Sequence, residues 1–483
     1  MKILFAAINA KYVHTNIAVR YLSLYLKKQG FDADFAEYTI NEPKGSVLRK
    51  LYAANAEVYG FSCYIWNISE VLSLAEDLKK LKTQSKIVLG GPEVSFCGEE
   101  LIEKYPFLDA VICGEGETAA AALFKTSDFE RGVYCQKEKF DFKTSDFPYT
   151  DEDLEECIKG EKLIYYESSR GCPFSCSYCL SSVENGVRFL PLERVKSEIK
   201  KITAAGALTI KFVDRTFNAD KRRALEIWRF CAALDGKTRY HFEIGADLLD
   251  EECIEFLKTV PKDKFLFEVG VQSTNEKTLG AVCRKTDLNK IKENVKALRA
   301  CGNIHLHLDL IAGLPFEGYE SFKKSFNDLF GLRPHELQLG FLKFLKGSGI
   351  RAAANSFGAV YSSSEPYEVL ETECLSAEEI IKLHSVEDVL ERYYNSERFE
   401  NSVFYAAELF DSPFDFFEKL SEFFEKRDLI ERGVKRITLY GLLYDFIGQN
   451  TGEKECEEFR LRLKKDFELW HSNGVGTPGW YKK

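Results

Sequence analysis

Three cysteines in one short run carry the plainest chemistry in this sequence of 483 residues. Cys172, Cys176 and Cys179 fall in Ser168-Ser169-Arg170-Gly171-Cys172-Pro173-Phe174-Ser175-Cys176-Ser177-Tyr178-Cys179, a C-x3-C-x2-C spacing. Iron–sulfur clusters are commonly closed by four cysteines. Three thiolates hold three irons of a four-iron cluster and leave the fourth open to another ligand. Such a set points to chemistry at the open iron rather than to a structural role. A zinc knuckle and thiols that merely fill a core are the competing readings. Zinc asks for four ligands, and no fourth Cys or His lies close to the run.

The thiols need a scaffold, and the flanking sequence predicts one. Strand patterns fall at Leu163–Glu167, Leu208–Val213, Tyr240–Ile244, Phe265–Val271, His305–Ile311 and Glu336–Leu342. Helical patterns lie between them, near Leu192–Ala205, Lys221–Leu234, Glu251–Thr259, Leu288–Ala300 and Tyr319–Phe330. This series predicts a partial (β/α)6 barrel, with the cysteine loop at the carboxyl end of its first strand, where such folds place chemistry.

A separate strand–helix series precedes it. Apolar strand runs at Ile3–Ile8, Asp34–Tyr38, Val58–Cys63, Lys86–Leu89 and Ala110–Cys113 alternate with helices at Ile17–Gln29, Gly45–Ala54 and Ser69–Leu81. Gly30 is the expected stop of the first helix. The pattern predicts a doubly wound parallel sheet. The glycine and polar signals fall where such a sheet binds ligands, at Asn9, Ser62, Gly90-Gly91-Pro92-Glu93 and Gly114-Glu115-Gly116-Glu117. Past residue 366 the pattern is mainly helical and aromatic. Phe417, Leu420 and Phe424 share one helical face, as do Leu442 and Phe446. The fold class read here is therefore α/β, with a mainly α-helical C-terminal domain. The boundaries are 1–140, a charged linker at 141–162 with Phe147-Pro148-Tyr149 extended, a core at 163–365 and a helical domain at 366–483.

Composition narrows the partners. A net charge of -10 argues against a broad nucleic-acid face. The other eleven of the 14 cysteines lack paired spacing, which fits free thiols in a reducing interior better than a disulfide framework. The apolar run after Met1-Lys2 is short for a signal peptide, and no apolar run approaches the ~20 residues that span a bilayer. The expected setting is cytoplasmic, without a membrane partner.

The cysteine run, with Gly171-Cys172-Pro173 and the aromatic Tyr178, resembles the cluster loop of the radical S-adenosylmethionine (SAM) superfamily. The resemblance implies a [4Fe-4S] cluster whose open iron is chelated by SAM. An electron from the cluster would cleave SAM to a 5′-deoxyadenosyl radical, with an external donor such as flavodoxin or ferredoxin supplying it. Further segments share the resemblance. Phe212-Val213-Asp214-Arg215-Thr216-Phe217-Asn218 corresponds to a region that contacts the methionyl amine, which makes Asp214 a SAM candidate; a carboxylate capping the next helix is the alternative. The Gly-Gly-Glu form common elsewhere in the superfamily is absent here. Phe267-Glu268-Val269-Gly270-Val271-Gln272-Ser273 with Arg284 implies SAM contacts from Glu268, Gln272 and Arg284. Leu308 to Pro315 implies that Ile311 and Gly313 let the backbone approach adenine.

The N-terminal sheet resembles the cobalamin-binding domain that precedes many radical SAM modules. The residues it assigns to cobalamin are Asn9, His14, Ser62, Tyr64, Trp66, Gly90, Gly91, Glu93, Gly114, Glu115 and Glu117. Many such domains offer cobalt a histidine in an Asp-x-His-x-x-Gly run. Here the region reads Asn9-Ala10-Lys11-Tyr12-Val13-His14, so His14 is displaced and is not expected to ligate cobalt. The C-terminal part resembles an uncharacterised helical domain found on such proteins. Together these imply a cobalamin-dependent radical SAM enzyme that methylates an unactivated carbon of a small molecule or peptide. Cyclisation or rearrangement with the same cofactors is the main alternative. A methylthiotransferase would need a cysteine after the first strand, where Ala7 to Ala10 stand. A cofactor-sensing binding protein would not turn SAM over.

Overall fold

The computed structural model describes residues 1–482 except 127, 136–138, 184–185 and 472–477. Strands β1 (Lys2–Asn9), β2 (Asp32–Thr39), β3 (Val58–Ser62), β4 (Lys86–Gly90), β5 (Ala110–Cys113) and β6 (Gly132–Cys135) form one parallel sheet in the order β2-β1-β3-β4-β5-β6. β1 is buried from Ile3 onward, and so reads as an unbroken apolar run rather than an alternating one. The strand order reverses between β1 and β3, which opens a crevice at their carboxyl ends. Asn9 and Ser62 are the last residues of those two strands. The first helix, Ile17–Lys28, starts where the Asn16 carboxamide oxygen accepts from the Val19 N–H at 3.2 Å, and Gly30 follows it at φ +88°.

Two features of this region depart from expectation. β6 is a four-residue edge strand that its own short pattern does not announce. The stretch 141–162 contains a helix, Asp151–Lys159, that its charged pattern does not announce. Thr150 caps it, three acidic residues occupy its first turn, and Leu154 and Cys157 are buried one turn apart. The acidic run is thus a favourable helix start rather than a linker signature.

The central sheet has six strands: β7 (Ile164–Tyr166), β10 (Thr209–Phe212), β11 (Arg239–Glu243), β12 (Phe265–Gln272), β13 (His305–Ala312) and β14 (Glu336–Phe341). Between β7 and β10 a short antiparallel pair, β8 (Ser169–Arg170) and β9 (Arg188–Phe189), brackets the cysteine run. The observed pairs β7·β10, β10·β11 and β13·β14 are parallel. Along β12 and β13 burial alternates strictly. Phe265, Phe267, Val269 and Val271 are buried, and Glu268, Gly270 and Gln272 share the other face.

The chain divides into two compact units, one of Met1–Leu266, Lys343–Ala354 and Ser362–Glu368, the other of Phe267–Leu342, Asn355–Tyr361 and Val369–Lys483. The second holds the helices Ala377–Leu390, Glu400–Glu408, Pro413–Glu425, Arg436–Asn450 and Glu453–Trp470. Phe417, Leu420 and Phe424 are fully buried, Phe446 nearly so, and Leu442 is half-buried. Asp466 secures the Glu400–Glu408 helix by accepting from the Asn401 and Ser402 N–H groups, both at 2.9 Å. Among the described residues no helix is long and apolar enough to cross a membrane.

Candidate functional site

The cysteine run leaves β8 and is anchored on both sides by buried charge. Arg170 grips Glu167 with a two-pronged pair (3.1 and 3.0 Å), and its other nitrogen reaches Glu115 at 3.1 Å and Glu117 at 3.0 Å. The guanidinium also lies 4.6 Å over the Phe142 ring. Burial opposes the charge on Arg170, but Glu167, Glu117 and Glu115 outweigh it and hold the group firmly protonated. Glu115 takes a second arginine, Arg188, at 3.1 Å. Burial would raise its pKa, yet Arg188 and Arg170 pull it below the ordinary value. Forked arginine–carboxylate pairs in a partly dry setting are strong and directional.

Asp214 secures the other side. It is 1% exposed and accepts from the Ser168 N–H (2.9 Å), the Ser168 hydroxyl (2.6 Å) and the Ser169 hydroxyl (2.5 Å). Burial pushes its pKa up, and the serine donors pull back. Gly171 follows at φ +102°, where a Cβ would collide with the Gly186 carbonyl oxygen, so only glycine fits. Cys176 is buried, Cys172 and Cys179 are half-buried, and none of the three is in a disulfide. Cys172 Sγ lies 3.7 Å from the Thr216 hydroxyl, and Tyr178 is half-buried between the last two cysteines. Among the described residues no three His, Cys, Asp or Glu side chains are grouped as ligands of a single ion. Three thiolates spaced along one loop suit a cluster, in which each binds its own iron.

The polar groups at the carboxyl ends of the N-terminal sheet have two kinds of surroundings. At the β1/β3 crevice, Asn9 donates to the His14 carbonyl (3.1 Å) and Glu37 (3.2 Å). His14 Nδ1 lies 2.6 Å from the Tyr165 hydroxyl, and burial followed by Lys11 and Lys211 lowers its pKa. Ser62 and Asn16 bond the Tyr64 hydroxyl. Tyr64 stacks on Trp66 at 4.4 Å with 6° between the rings, and Trp66 remains 45% exposed. Gly90 ends β4, and a Cβ on Gly91 would meet the Cys63 carbonyl oxygen at 2.5 Å. The place of a Cβ on Gly114 is open space. An open glycine turn and an exposed flat indole at a switch point fit a large planar ligand such as a corrin.

The three glutamates assigned to that ligand are engaged with protein groups. Glu115 and Glu117 hold Arg170. Glu93 is 4% exposed, accepts from the Tyr367 hydroxyl at 2.6 Å and pairs with Lys346 at 2.9 Å. Arg170, Glu167, Arg188, Lys346 and Tyr367 were not singled out from the sequence; contacts distant in sequence reveal all but Glu167, which pairs with Arg170 three residues on.

The other SAM candidates lie in the second unit. Gln272 ends β12 at φ +74°, a left-handed backbone position that side chains seldom adopt. Its amide folds back over Gly270, and its Oε1 is buried without a hydrogen-bond partner. Arg284 donates to the Gly270 carbonyl. Ile311 is half-buried, and the open side of Gly313 (φ +86°) is filled by Val369. On the Glu268 side of the strands sits His307, 3.0 Å from Asp309 and 3.3 Å from Glu336. Burial would deprotonate it, but Asp309, Glu336 and Glu268 raise its pKa. The period-two run His305, His307, Asp309, Ile311 was a legible signal for this polar face. Glu317 was not: it is fully buried, accepts from Ser273 (2.6 Å) and Ser325 (3.1 Å), and burial raises its pKa to about 7.

Family profiles match in three successive blocks: a B12 binding domain at residues 3–124, the radical SAM superfamily at 166–329 and a protein of unknown function, DUF4080, at 355–483. Among curated relatives, a 2-(S-pantetheinyl)-carbapenam-3-carboxylate methyltransferase of Streptantibioticus cattleyicolor is 24% identical over 81% of this chain and 65% of its own length. The cobalamin-dependent radical SAM methyltransferase TokK of Streptomyces tokunonensis is 28% identical over 58% of this chain and 46% of its own. The chain thus spans about two thirds of one relative and under half of the other. Among solved structures, the cobalamin-dependent S-adenosylmethionine radical enzyme OxsB with aqua-cobalamin bound shares the fold at a TM-score of 0.65 and 13% identity, over 99% of this chain and 82% of that one. In order along the chain, its three blocks are thus similar to a B12 binding domain, the radical SAM superfamily and DUF4080.

Proposed function

We propose that this protein is a cobalamin-dependent radical SAM enzyme that methylates an unactivated carbon of a small molecule or peptide. The observation that carries the reading is the pairing, on one chain, of a B12-binding domain with a radical SAM domain whose loop presents Cys172, Cys176 and Cys179. Bound together, cluster, SAM and corrin would supply an electron, a hydrogen-abstracting adenosyl fragment and a transferable methyl group. The chain's own residues bind and orient. The three thiolates hold the cluster, and Arg170 and Asp214 seat the loop that presents them. Within the second unit, Glu268, Gln272, Arg284 and Ile311 are the groups that would contact SAM; Gly313, whose open side Val369 fills, supports the turn instead. The open turn at Gly114 would admit a corrin beside Tyr64 and Trp66, while Gly91 makes room for the Cys63 carbonyl. His14, bonded to the Tyr165 hydroxyl, would not be available as a cobalt ligand. Glu93, Glu115 and Glu117 support that site as ion pairs.

Two products of SAM test this without a known substrate. Loaded, reduced protein is expected to release 5′-deoxyadenosine and, only when cobalamin is present, S-adenosylhomocysteine. Cys172→Ala should form neither. Deoxyadenosine with no cobalamin-dependent S-adenosylhomocysteine would favour cyclisation or rearrangement. A reduced, loaded protein that leaves SAM intact would overturn both.

A further inference from the structure

We propose that Cys113 and Cys135 form a reversible dithiol–disulfide site that exchanges with low-molecular-weight disulfides. The two residues are register partners at the carboxyl ends of the parallel strands β5 and β6. Neighbouring strands lie about 4.8 Å apart, and a disulfide accepts Cα separations of roughly 4.4–6.8 Å, so the backbone is already placed for the bond. The side chains of a register pair leave the sheet on the same face, and the two thiols are within hydrogen-bonding reach of each other. Both are free, Cys135 exposed and Cys113 half-buried. β6 is the edge of its sheet, so nothing in the sheet flanks Cys135 on its outer side.

The exchange balances in two steps. The Cys135 thiolate attacks one sulfur of an external disulfide RSSR, its S–S bond breaks, and RS⁻ leaves and takes a proton. The Cys113 thiol loses its proton to solvent and attacks the Cys135 sulfur of the mixed disulfide, expelling the second RS⁻. Two protein thiols are oxidised and one small disulfide is reduced to two thiols. Burial and the neighbouring Cys135 push the Cys113 thiol up to about 12, which makes exposed Cys135 the group that engages the reagent. The bond would fasten the edge strand to the strand that leads into Glu115, a partner of Arg170 beside the cysteine loop.

The test holds the full-length protein anaerobically in buffers of graded reduced and oxidised glutathione, then alkylates, digests and quantifies linked peptides by mass spectrometry. A Cys113–Cys135 peptide should appear in one transition that follows the square of the reduced glutathione concentration. Cys113→Ser should abolish it and leave Cys135 as a glutathione adduct. Cys135→Ala, at the exposed edge, should leave Cys113 unmodified. Wild-type Cys135 found only as a glutathione adduct, or linked to any cysteine other than Cys113, would overturn the proposal. Cys172, Cys176 and Cys179 are followed on their own peptides, so cluster loss is not mistaken for this event.

Discussion

The cysteine loop and the turn after β13 are both strand-end loops seated by carboxyl groups, yet one seat is ion-paired and the other is made of hydroxyl donors alone. At the cysteine loop, Glu115 and Glu117 face Arg170, and Glu115 is held ionised below the usual carboxylate range. At the turn, Glu317 meets only hydroxyl groups, and burial lifts it to about 7. Burial disfavours the charged form in both places; two arginines reverse the outcome at Glu115, whereas Glu167, against Arg170 alone, stays raised. One loop is locked by charge and the other by a carboxyl group that prefers its proton.

Removing the cation should produce the largest effect. Arg170→Met leaves buried Glu117 and partly buried Glu115 and Glu167 around an empty centre, and thermal unfolding should report a loss of about 2–4 kcal/mol together with poor iron loading. An unchanged midpoint would show that the loop is not seated by charge. Asp214→Ala strands three donors of Ser168 and Ser169 and should cost about 3 kcal/mol, with Asp214→Asn milder because an amide oxygen still accepts. Equal losses for the two would argue against a hydrogen-bonding role.

Glu317 sharpens the contrast through pH. Its folded pKa lies above the ordinary 4.5, so its stabilising contribution is complete below pH 4.5 and is lost as pH rises to about 7. The loss should be on the order of 2–3 kcal/mol in wild type and absent in Glu317→Gln. Glu115 runs the other way: its folded pKa is depressed, so its contribution is present above 4.5 and is lost as pH falls through the depressed value. A Glu317→Gln profile that still falls toward pH 7 would remove this group from the account. The smallest effect belongs to an exposed pair of the same chemistry. Arg229→Ala at the Arg229–Glu252 bridge (3.0 Å) should shift stability by less than about 0.5 kcal/mol.

Periodicity made most elements legible. Ala110–Cys113 and Tyr319–Phe330 form as the pattern reads, and the other predicted strands and helices differ only at their ends. What stayed hidden depends on long range. β6 exists because β5 offers it a ladder, and its four residues alone carry no signal. The helix Asp151–Lys159 looked like charged linker because its apolar side is only Leu154 and Cys157. At the site, the thiols were legible from spacing and the glycines from turn chemistry. The partners of the glutamates were not, since Arg170 meets Glu115 across 55 positions of chain and Glu93 meets Tyr367 across 274.

The central claim is that one chain binds a SAM-accessible cluster together with a cobalamin that takes no protein nitrogen. The most direct measurement is electron paramagnetic resonance on protein reconstituted anaerobically with iron, sulfide and hydroxocobalamin, recorded before and after reduction and addition of SAM. The account predicts a four-iron signal that SAM perturbs, and a cob(II)alamin signal without nitrogen superhyperfine splitting. A cluster with no bound cobalamin, or a cobalt signal split by a protein nitrogen, would contradict it.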